Sequence, residues 1–214
     1  LVGSEMCIRD SVGSVARMIV QITDVDQHIT TWVVDHRTAP LTGLAHVVTV
    51  FGNTITLWIV ATLVVIALAA RKHVTEAVYV GLGSLLGASL MVILKHLVRR
   101  ERPPRDDRLL HIESYSFPSG HSMMTMVVYG LIAIAAYRVI PWVRAHPWTL
   151  VLAPVISILV GLTRIYLGVH WTTDVLAGWL FGAVWVGLCT WVLSLWLSSR
   201  GRSDRPVAKP SDSA

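Results

Sequence analysis

The chain has 214 residues, of which 54% are hydrophobic and 14% are charged, whereas an ordinary soluble domain carries about 25% charged residues. The mean hydropathy is +0.61, so the composition indicates an integral membrane protein and excludes a soluble globular domain. The net charge of +5 arises largely in segments 95–108 and 200–209. Because these segments flank apolar stretches and carry no recognition motif, they favour lipid headgroups or an anionic substrate over nucleic acid.

The two ends of the chain are predicted to lie outside the folded domain. Residues 1–23 contain neither an apolar signal-peptide core nor a clear pattern. We interpret this segment as non-native or disordered, and we expect the chain to be a fragment. Residues 200–214 are polar and contain proline, which is typical of a disordered tail. The part between them, residues 24–199, is expected to form a single membrane-embedded domain.

Residues 24–37, DVDQHITTWVVDHR, form a short amphipathic stretch. It is predicted to lie at the membrane interface, with Trp32, Val33 and Val34 buried and the acidic residues in water. A plain connector is the alternative interpretation.

Five later stretches are apolar and approach the length of about 20 helical residues that a bilayer requires. They are 54–70, 77–94, 121–140, 148–166 and 174–198. We therefore expect an all-α, polytopic transmembrane bundle with five visible spans.

The third and fourth of these spans are joined by a short turn, 141–148, that contains two tryptophans suited to the membrane interface. They are therefore predicted to form a hairpin. The segments before and after the hairpin, 95–120 and 164–173, must then lie on the same face of the membrane. Nearly all the unusual polar residues of the chain fall in these two segments, so we expect the functional site there.

The distribution of Lys and Arg favours the extracytoplasmic face for this site. The count is eight on each side of the membrane, and it becomes eight against five when Lys95, Arg102 and Arg164 are set aside for chemistry. The excess lies on the face opposite the site. Since positive residues favour the cytoplasmic side, that opposite face is predicted to be cytoplasmic.

The first polar group is KHLVRRERPP, in which Lys95 and Arg102 are seven residues apart. On a continuing helix they would project from one face, and Pro103 disfavours helix at the residue before it. A mobile ammonium and a planar guanidinium together suit a tetrahedral oxyanion such as phosphate. The alternative is a cytoplasmic stop-transfer cluster. The other charged residues nearby are interpreted as a solvated rim: Arg99, Arg100, Glu101, Arg105, Asp106, Asp107 and Arg108.

The second group, SFPSGHSMM, stands at the start of the span 121–140. Pro118 stiffens the chain, Ser119 can cap the helix, Gly120 lets a ligand approach the backbone, and His121 falls in the first turn. The free N–H groups of such a turn favour an anion. In isolation the pattern indicates only a helix start.

The third group, TRIYLGVHWTTD, places Arg164 at the end of one span and His170 four residues before Asp174 at the start of the next. Residues four apart share a helix face. An aspartate that holds one imidazole nitrogen leaves the other as a base or nucleophile. The alternative is a capping carboxylate beside a histidine with a purely structural role.

Together these groups resemble the signature motifs of the type 2 phosphatidic acid phosphatase superfamily, over about residues 80–198. One departure is Thr163, where the family usually has serine. Another is the number of spans, because membrane members usually have six. The three motifs are Lys95-x6-Arg102-Pro103, Pro118-Ser119-Gly120-His121 and Arg164-x5-His170-x3-Asp174.

The resemblance implies a phosphoryl-transfer mechanism that needs neither metal nor cofactor. His170 is expected to attack phosphorus and form a phosphohistidine, Asp174 to orient it, and His121 to protonate the leaving alkoxide. The residues expected to bind the phosphoryl oxygens are Lys95, Arg102, Ser119, Gly120 and Arg164.

We therefore expect an integral phosphatase of the cell membrane that hydrolyses a lipid phosphate monoester or a polyprenyl diphosphate. Its partners are the lipid substrate and the bilayer, with no nucleic acid. A lipid phosphotransferase is the nearest alternative, and the haloperoxidase branch of the same superfamily is disfavoured because its members are soluble. An anion transporter or channel predicts charges along the span interiors, whereas 54–70 and 148–162 contain none.

Overall fold

The computed structural model describes residues 23–203, with side chains up to residue 200. This part of the chain contains no strand. Its eight α-helices are α1 (23–35), α2 (Ala39–Thr49), α3 (Thr54–Ala70), α4 (Val74–Val98), α5 (Gly120–Val139), α6 (Pro141–Ala145), α7 (Leu152–Tyr166) and α8 (Thr172–Ser203). Of the predicted outer segments 1–23 and 200–214, only residue 23, in α1, and residues 200–203, in α8, are described, and the other residues of both segments lie outside the described part of the chain.

Four segments of the described chain are each long and apolar enough to cross a membrane: Val74–Val98, Gly120–Val139, Pro147–Tyr166 and Thr172–Arg200. The helix Thr54–Ala70 has 17 residues. It qualifies only together with Ala39–Gly52, from which it is bent by 44°. The expected all-α, polytopic transmembrane bundle is therefore confirmed, with four spans or five if the bent pair crosses as one.

The bend before α3 has a local cause at Asn53. This residue has extended backbone angles, φ −63° and ψ 140°, and so interrupts the helix. Its Oδ1 accepts a hydrogen bond of 2.9 Å from the backbone N–H of Ile55, which is the usual geometry of an N-cap. The predicted span 54–70 thus matches α3 in its bounds, but an earlier helix adds the length that a crossing requires.

Helix α5 lies at the centre of the bundle and packs against α4, α7 and α8. Its approach to α8 is close because α8 carries glycines on the facing side. A Cβ atom at Gly178 would come within 2.9 Å of the Ser119 carbonyl oxygen, and one at Gly182 would come within 2.7 Å of Met126 Cβ. Small residues allow this contact, and it brings the N-termini of α5 and α8 together.

The two segments that flank the α5–α7 hairpin meet at one end of the bundle, as the hairpin argument predicts. The backbone N–H of Leu109 donates to the carbonyl of Leu167 at 3.0 Å. The turn after α7 requires glycine at position 168, where φ is +69° and a Cβ would lie 2.3 Å from the Asp107 carbonyl oxygen. This turn holds the 167–171 segment against the loop that follows α4.

Helix α1 differs from the interfacial arrangement predicted for residues 24–37. Asp24 and Asp35 are exposed, but Asp26 is 0% exposed and binds other parts of the bundle. The expectation that the acidic residues face water is therefore wrong for Asp26. Its burial is possible because donors from α8 and a guanidinium satisfy the carboxylate.

Candidate active site

A cavity of about 290 Å³ lies where the α4–α5 and α7–α8 loops meet. Its polar lining comes from these loops and the adjoining helix ends, and its apolar lining comes from α3, α4 and α5. The polar and basic lining residues are Lys95, Arg102, Ser114, His121, Arg164 and His170. The apolar lining residues include Leu57, Trp58, Ala88, Met91, Met124 and Val128.

Lys95 and Arg102 both line this cavity, although they do not share a continuing helix as predicted. Helix α4 ends at Val98, and Arg99 adopts a left-handed conformation with φ 51°. The two cations meet because they bind the same loop: Lys95 Nζ donates to the Tyr115 carbonyl at 2.6 Å, and Arg102 Nη2 donates to it at 3.2 Å. Burial lowers the pKa of Arg102 to about 10, so it remains charged at neutral pH.

Arg164 is the third cation of the cavity and lies almost entirely inside the protein, with 2% of its surface exposed. Its Nη1 donates to Thr49 Oγ1 at 2.8 Å, and its Nε has no hydrogen-bond partner within the described residues. In the same part of the chain, no carboxylate lies within 4.0 Å of the charged groups of Lys95, Arg102 or Arg164. In the described chain, the cavity therefore contains three basic groups that form no ion pair.

His170 precedes α8, which begins at Thr172, so it does not share a helix face with Asp174 as predicted. The two side chains are still neighbours, with Nδ1 3.6 Å from Asp174 Oδ2. Nε2 lies 3.1 Å from Arg102 Nη1. Because a guanidinium only donates, Nε2 accepts this bond and the ring proton lies on Nδ1, towards the aspartate. Burial lowers the pKa of His170 to about 3, against the opposing effect of Asp174.

Asp174 is fully buried, lies beside the histidine and caps α8. Its Oδ2 accepts a hydrogen bond from the backbone N–H of Trp171 at 3.1 Å, which is the capping role foreseen as the alternative interpretation. Its Oδ2 also accepts from the Ser116 hydroxyl, whose oxygen lies 3.4 Å from His170 Nδ1. One carboxylate therefore both caps α8 and lies beside His170.

Helix α5 begins at Gly120 and carries His121 in its first turn. Both residues line the cavity that His170 also lines, so the two histidines predicted to cooperate face one space. Ser119 is not among the lining residues. Its Oγ accepts a hydrogen bond from Ser122 Oγ at 3.0 Å, and its backbone N–H donates to the carbonyl of Asp174 at 3.0 Å. Phosphate binding by Ser119 stays a prediction.

Two residues next to the cavity were missed by the sequence argument. Ser116 was not considered, although it begins the SFPSGHSMM segment. Arg100 was assigned to a solvated rim, and this is wrong: its Nη1 binds Asp174 Oδ1 at 2.7 Å, and its Nη2 binds Asp26 Oδ2 at 2.7 Å. No sequence spacing indicates the pair with Asp26, because it joins positions 74 residues apart.

Within the described residues, no group of three or more His, Cys, Asp or Glu side chains is placed to hold a metal ion. The polar side chains that line the cavity include two histidines and three basic groups, and Asp174 lies beside His170.

Comparison with known proteins identifies relatives of the same kind. The profile of the PAP2 superfamily matches residues 76–197. Phosphatidylglycerophosphatase B of Bacillus subtilis is 44% identical over 91 residues, which are 42% of this chain and 44% of that protein. Decaprenylphosphoryl-5-phosphoribose phosphatase of Mycobacterium tuberculosis is 32% identical over 145 residues, which are 66% of this chain and 72% of that protein. The match thus spans less than half of the first relative.

The fold resembles the crystal structure of a transmembrane PAP2-type phosphatidylglycerolphosphate phosphatase from Bacillus subtilis. The TM-score is 0.77 with 30% sequence identity, and the alignment covers 82% of this chain and 87% of that one.

Proposed function

The chain belongs to the PAP2 superfamily, and from this premise we propose that it is an integral membrane phosphatase that hydrolyses phosphoric esters of lipids. The observation that carries the proposal is the charge of the cavity. The cavity is lined by two histidines and by three cations that form no ion pair in the described chain. Buried charges are unfavourable unless they are paired, so this space favours an anionic group that brings its own oxygens to the cations.

The neutral imidazole of His170 is the nucleophile of this mechanism. Its proton lies on Nδ1, where Asp174 Oδ2 and Ser116 Oγ are 3.6 and 3.4 Å away. The lone pair is therefore on Nε2, which accepts from Arg102 Nη1 and attacks phosphorus once Arg102 turns to the phosphoryl oxygens. A P–Nε2 bond forms while the P–O bond to the lipid alcohol breaks. Asp174 then stabilises the positive charge that develops on the ring.

His121 donates the proton that the first step requires and accepts the proton that water loses in the second step. It donates a proton to the departing alkoxide, which leaves as the lipid alcohol. The neutral ring next takes a proton from a water molecule, whose oxygen attacks phosphorus, and the P–Nε2 bond breaks to release inorganic phosphate. General acid and base catalysis of this kind typically contributes about 10²–10⁴-fold.

Lys95, Arg102 and Arg164 hold the phosphoryl oxygens during both steps. Their charges oppose the negative charge of the transferred group, which is the main task of a protein in phosphoryl transfer. Each step uses only side chains of this protein and water, so we propose that hydrolysis proceeds without a metal ion. The backbone of Gly120, also at the cavity wall, allows the substrate to approach the start of α5.

The substrate we propose is a phosphate monoester or diphosphate of a lipid, held with its tail in the bilayer. The cavity favours this class because Leu57, Trp58 and Met91 line it together with the cations, so an apolar chain and a phosphate are both accommodated. The names of the two relatives, one for phosphatidylglycerophosphate and one for a decaprenyl phosphoribose phosphate, support the same class. We further propose that the site faces the extracytoplasmic side of the cell membrane.

The test is release of inorganic phosphate by the purified protein in detergent, with EDTA present and with phosphatidic acid, phosphatidylglycerophosphate and a polyprenyl diphosphate as substrates. We expect release from at least one lipid, and we expect His170→Ala to lower kcat by more than about 10³-fold. His28→Ala, at an exposed position of α1, is the matched control and should retain activity.

Two results would contradict the proposal. Loss of activity on chelation would exclude the metal-independent mechanism, and full activity of His170→Ala would exclude the phosphohistidine. Transfer of phosphate to an added alcohol, with no free phosphate released, would identify a phosphotransferase instead.

A further inference from the structure

A second buried polar cluster lies next to the active site and joins α1 to α8. Asp26 of α1 accepts hydrogen bonds from the backbone N–H of Thr173 at 3.0 Å, from the Thr173 hydroxyl, and from Arg100 Nη2 at 2.7 Å. None of these three residues lines the cavity that contains the histidines. Arg100 lines an adjoining pocket that shares Arg102 and Ser114 with this cavity.

The guanidinium of Arg100 connects this cluster to the acid that orients the nucleophile. Its Nη2 lies 2.7 Å from Asp26 Oδ2, and its Nη1 lies 2.7 Å from Asp174 Oδ1. The other oxygen of Asp174, Oδ2, accepts from the Ser116 hydroxyl and faces His170 Nδ1. A rigid, planar fork that spans two carboxylates thus fixes which oxygen of Asp174 the histidine meets.

The cluster also determines how much negative charge Asp174 presents. Asp26 and Asp174 are both 0% exposed at their side chains, and they share a single guanidinium. If Asp26 lost its charge, the positive charge of Arg100 would be offset by Asp174 alone. If Arg100 lost its charge, Asp174 would keep its full negative charge. Both effects would reach His170, because it is the neighbour of Asp174.

We propose that Asp26 and Arg100 are positioning residues for the nucleophile: Asp26 fixes Arg100, and Arg100 sets the orientation and the effective charge of Asp174 beside His170. Helix α1 is thereby part of the catalytic machinery, although it contributes nothing to the cavity wall. This inference rests on the proposed function, since it concerns the same histidine.

His170 faces one carboxylate and several basic groups, so the effect of each charge has a defined sign. Within the described chain, Asp174 is the only carboxylate within 4.0 Å of its ring nitrogens. The basic and titratable groups that surround the same space are Lys95, Arg102, His121 and Arg164. Loss of the Arg100 charge strengthens the field of Asp174 and makes His170 more basic. Loss of the Asp26 charge weakens that field and makes His170 less basic.

The experiment compares kcat and KM of Arg100→Gln and Asp26→Asn with the unchanged protein between pH 4 and pH 8, using phosphatidic acid in detergent micelles. Both variants are expected to lower kcat by about tenfold at pH 8, with KM within about twofold, because orientation is lost but the cavity is intact. The loss in Arg100→Gln should grow towards pH 4, as a more basic His170 becomes protonated. The loss in Asp26→Asn should not grow.

Matched controls lie next to each position. Asp35→Asn on α1 and Arg99→Gln beside Arg100 remove charges at exposed positions, and both should retain kcat within about twofold at every pH. Thr173→Val keeps both carboxylates and removes the hydroxyl that donates to Asp26 and accepts from Arg100. It should lower kcat several-fold while keeping the pH dependence of the unchanged protein, and it provides the test if Asp26→Asn does not fold.

The inference is overturned if Arg100→Gln and either Asp26→Asn or Thr173→Val retain full kcat. It is also overturned if Arg100→Gln and Asp26→Asn lose the same factor at every pH, because that would indicate a structural role alone. The proposed function is decided separately in the same assay, by phosphate release from the unchanged protein and its loss in His170→Ala.

Discussion

Among individual residues, Arg164 gives the strongest support for the proposal that the cavity binds an anion. A guanidinium that is 2% exposed, with an unpaired Nε and no carboxylate within 4.0 Å in the described chain, is unfavourable for stability alone. Its retention is explained if it binds phosphoryl oxygens in the transition state. Function and stability should therefore respond to its removal in opposite directions.

We predict that Arg164→Gln lowers kcat/KM for a lipid phosphate by at least about 10²-fold, or about 2.7 kcal/mol. The same change should leave the Tm of the unliganded protein in detergent unchanged or raise it, because it removes an unpaired buried charge. Activity assays and thermal unfolding of the same preparation provide the measurement. Arg138→Gln is the control: its Nε is 3.1 Å from Glu76, so its loss should lower Tm without impairing the chemistry. A large fall in the Tm of Arg164→Gln would contradict the prediction.

The acid sensitivity of the fold should depend on His170. Its pKa is lowered to about 3 in the folded protein by burial and is about 6.5 in an unfolded chain. The unfolded chain therefore binds one more proton between these values. The stability that this histidine contributes is complete above pH 6.5 and is lost as the pH falls towards 3, by up to about 1.4 kcal/mol per pH unit.

We therefore predict that His170→Asn weakens the fall of Tm between pH 6 and pH 4, measured in detergent without substrate. His28→Asn changes an exposed histidine of α1 and should keep the pH dependence of the unchanged protein. An equal fall of Tm with pH in the unchanged protein and in both variants would show that the His170 ring is not held neutral by the fold.

Residues that carry local signals could be predicted from the sequence, whereas those defined by distant pairing could not. His121 and His170 were expected to face one site, and they line the same cavity. Arg100 resembles its charged neighbours in the sequence, and its role depends on α1 folding back over the start of α8. Asp26 was missed for the same reason, because an acid in an amphipathic helix is ordinarily solvated.

Among the helices, the contact of α8 with α5 controls the geometry of the site. His170 directly precedes α8, Asp174 lies in its first turn, and His121 lies in the first turn of α5. The separation of these helices therefore sets the separation of the groups proposed to be catalytic. A Cβ at Gly178 would lie 2.9 Å from the Ser119 carbonyl oxygen and 3.1 Å from the Met123 nitrogen. These are backbone atoms, which cannot move aside as a flexible side chain does.

We predict that Gly178→Ala lowers both Tm and kcat, because α8 must shift away from α5. Gly187→Ala is a matched control on the same helix, since a Cβ there meets nothing within 4 Å. This control should retain activity and gain up to about 1 kcal/mol of stability from the higher helix propensity of alanine. Thermal unfolding and phosphate release distinguish the two, and equal behaviour of both variants would contradict the packing argument.

The bounds of helices were predictable where hydropathy decides them and less so where a cap or a bend does. The apolar stretch 54–70 coincides with α3, but the 44° bend that separates it from Ala39–Gly52 lies at Asn53, which the hydropathy of the sequence does not indicate. The end of α4 was also missed. Arg99 turns left-handed before the proline pair is reached, so Lys95 and Arg102 meet through the loop that binds them both.

At the scale of the whole molecule, the cavity lies at one end of the bundle, and basic and aromatic residues lie at the other end. The α4–α5 loop, with Glu113 84% exposed at its side chain, lies at the cavity end. Arg144 is exposed in α6, just beyond the end of α5, and lies at the opposite end. The Lys and Arg distribution favours the cytoplasm for the Arg144 end.

If the cavity end faces outward as proposed, a membrane-impermeant maleimide is predicted to label Glu113→Cys in intact cells, in a Cys7→Ser/Cys189→Ser background. Arg144→Cys in the same background should be labelled only after the membrane is permeabilised. Both positions are exposed in the fold, so a difference between them reports the membrane face and not burial. The reverse pattern would place the cavity in the cytoplasm. Substrates would then reach it from the inner leaflet, although the chemistry derived for His170 would be unaltered.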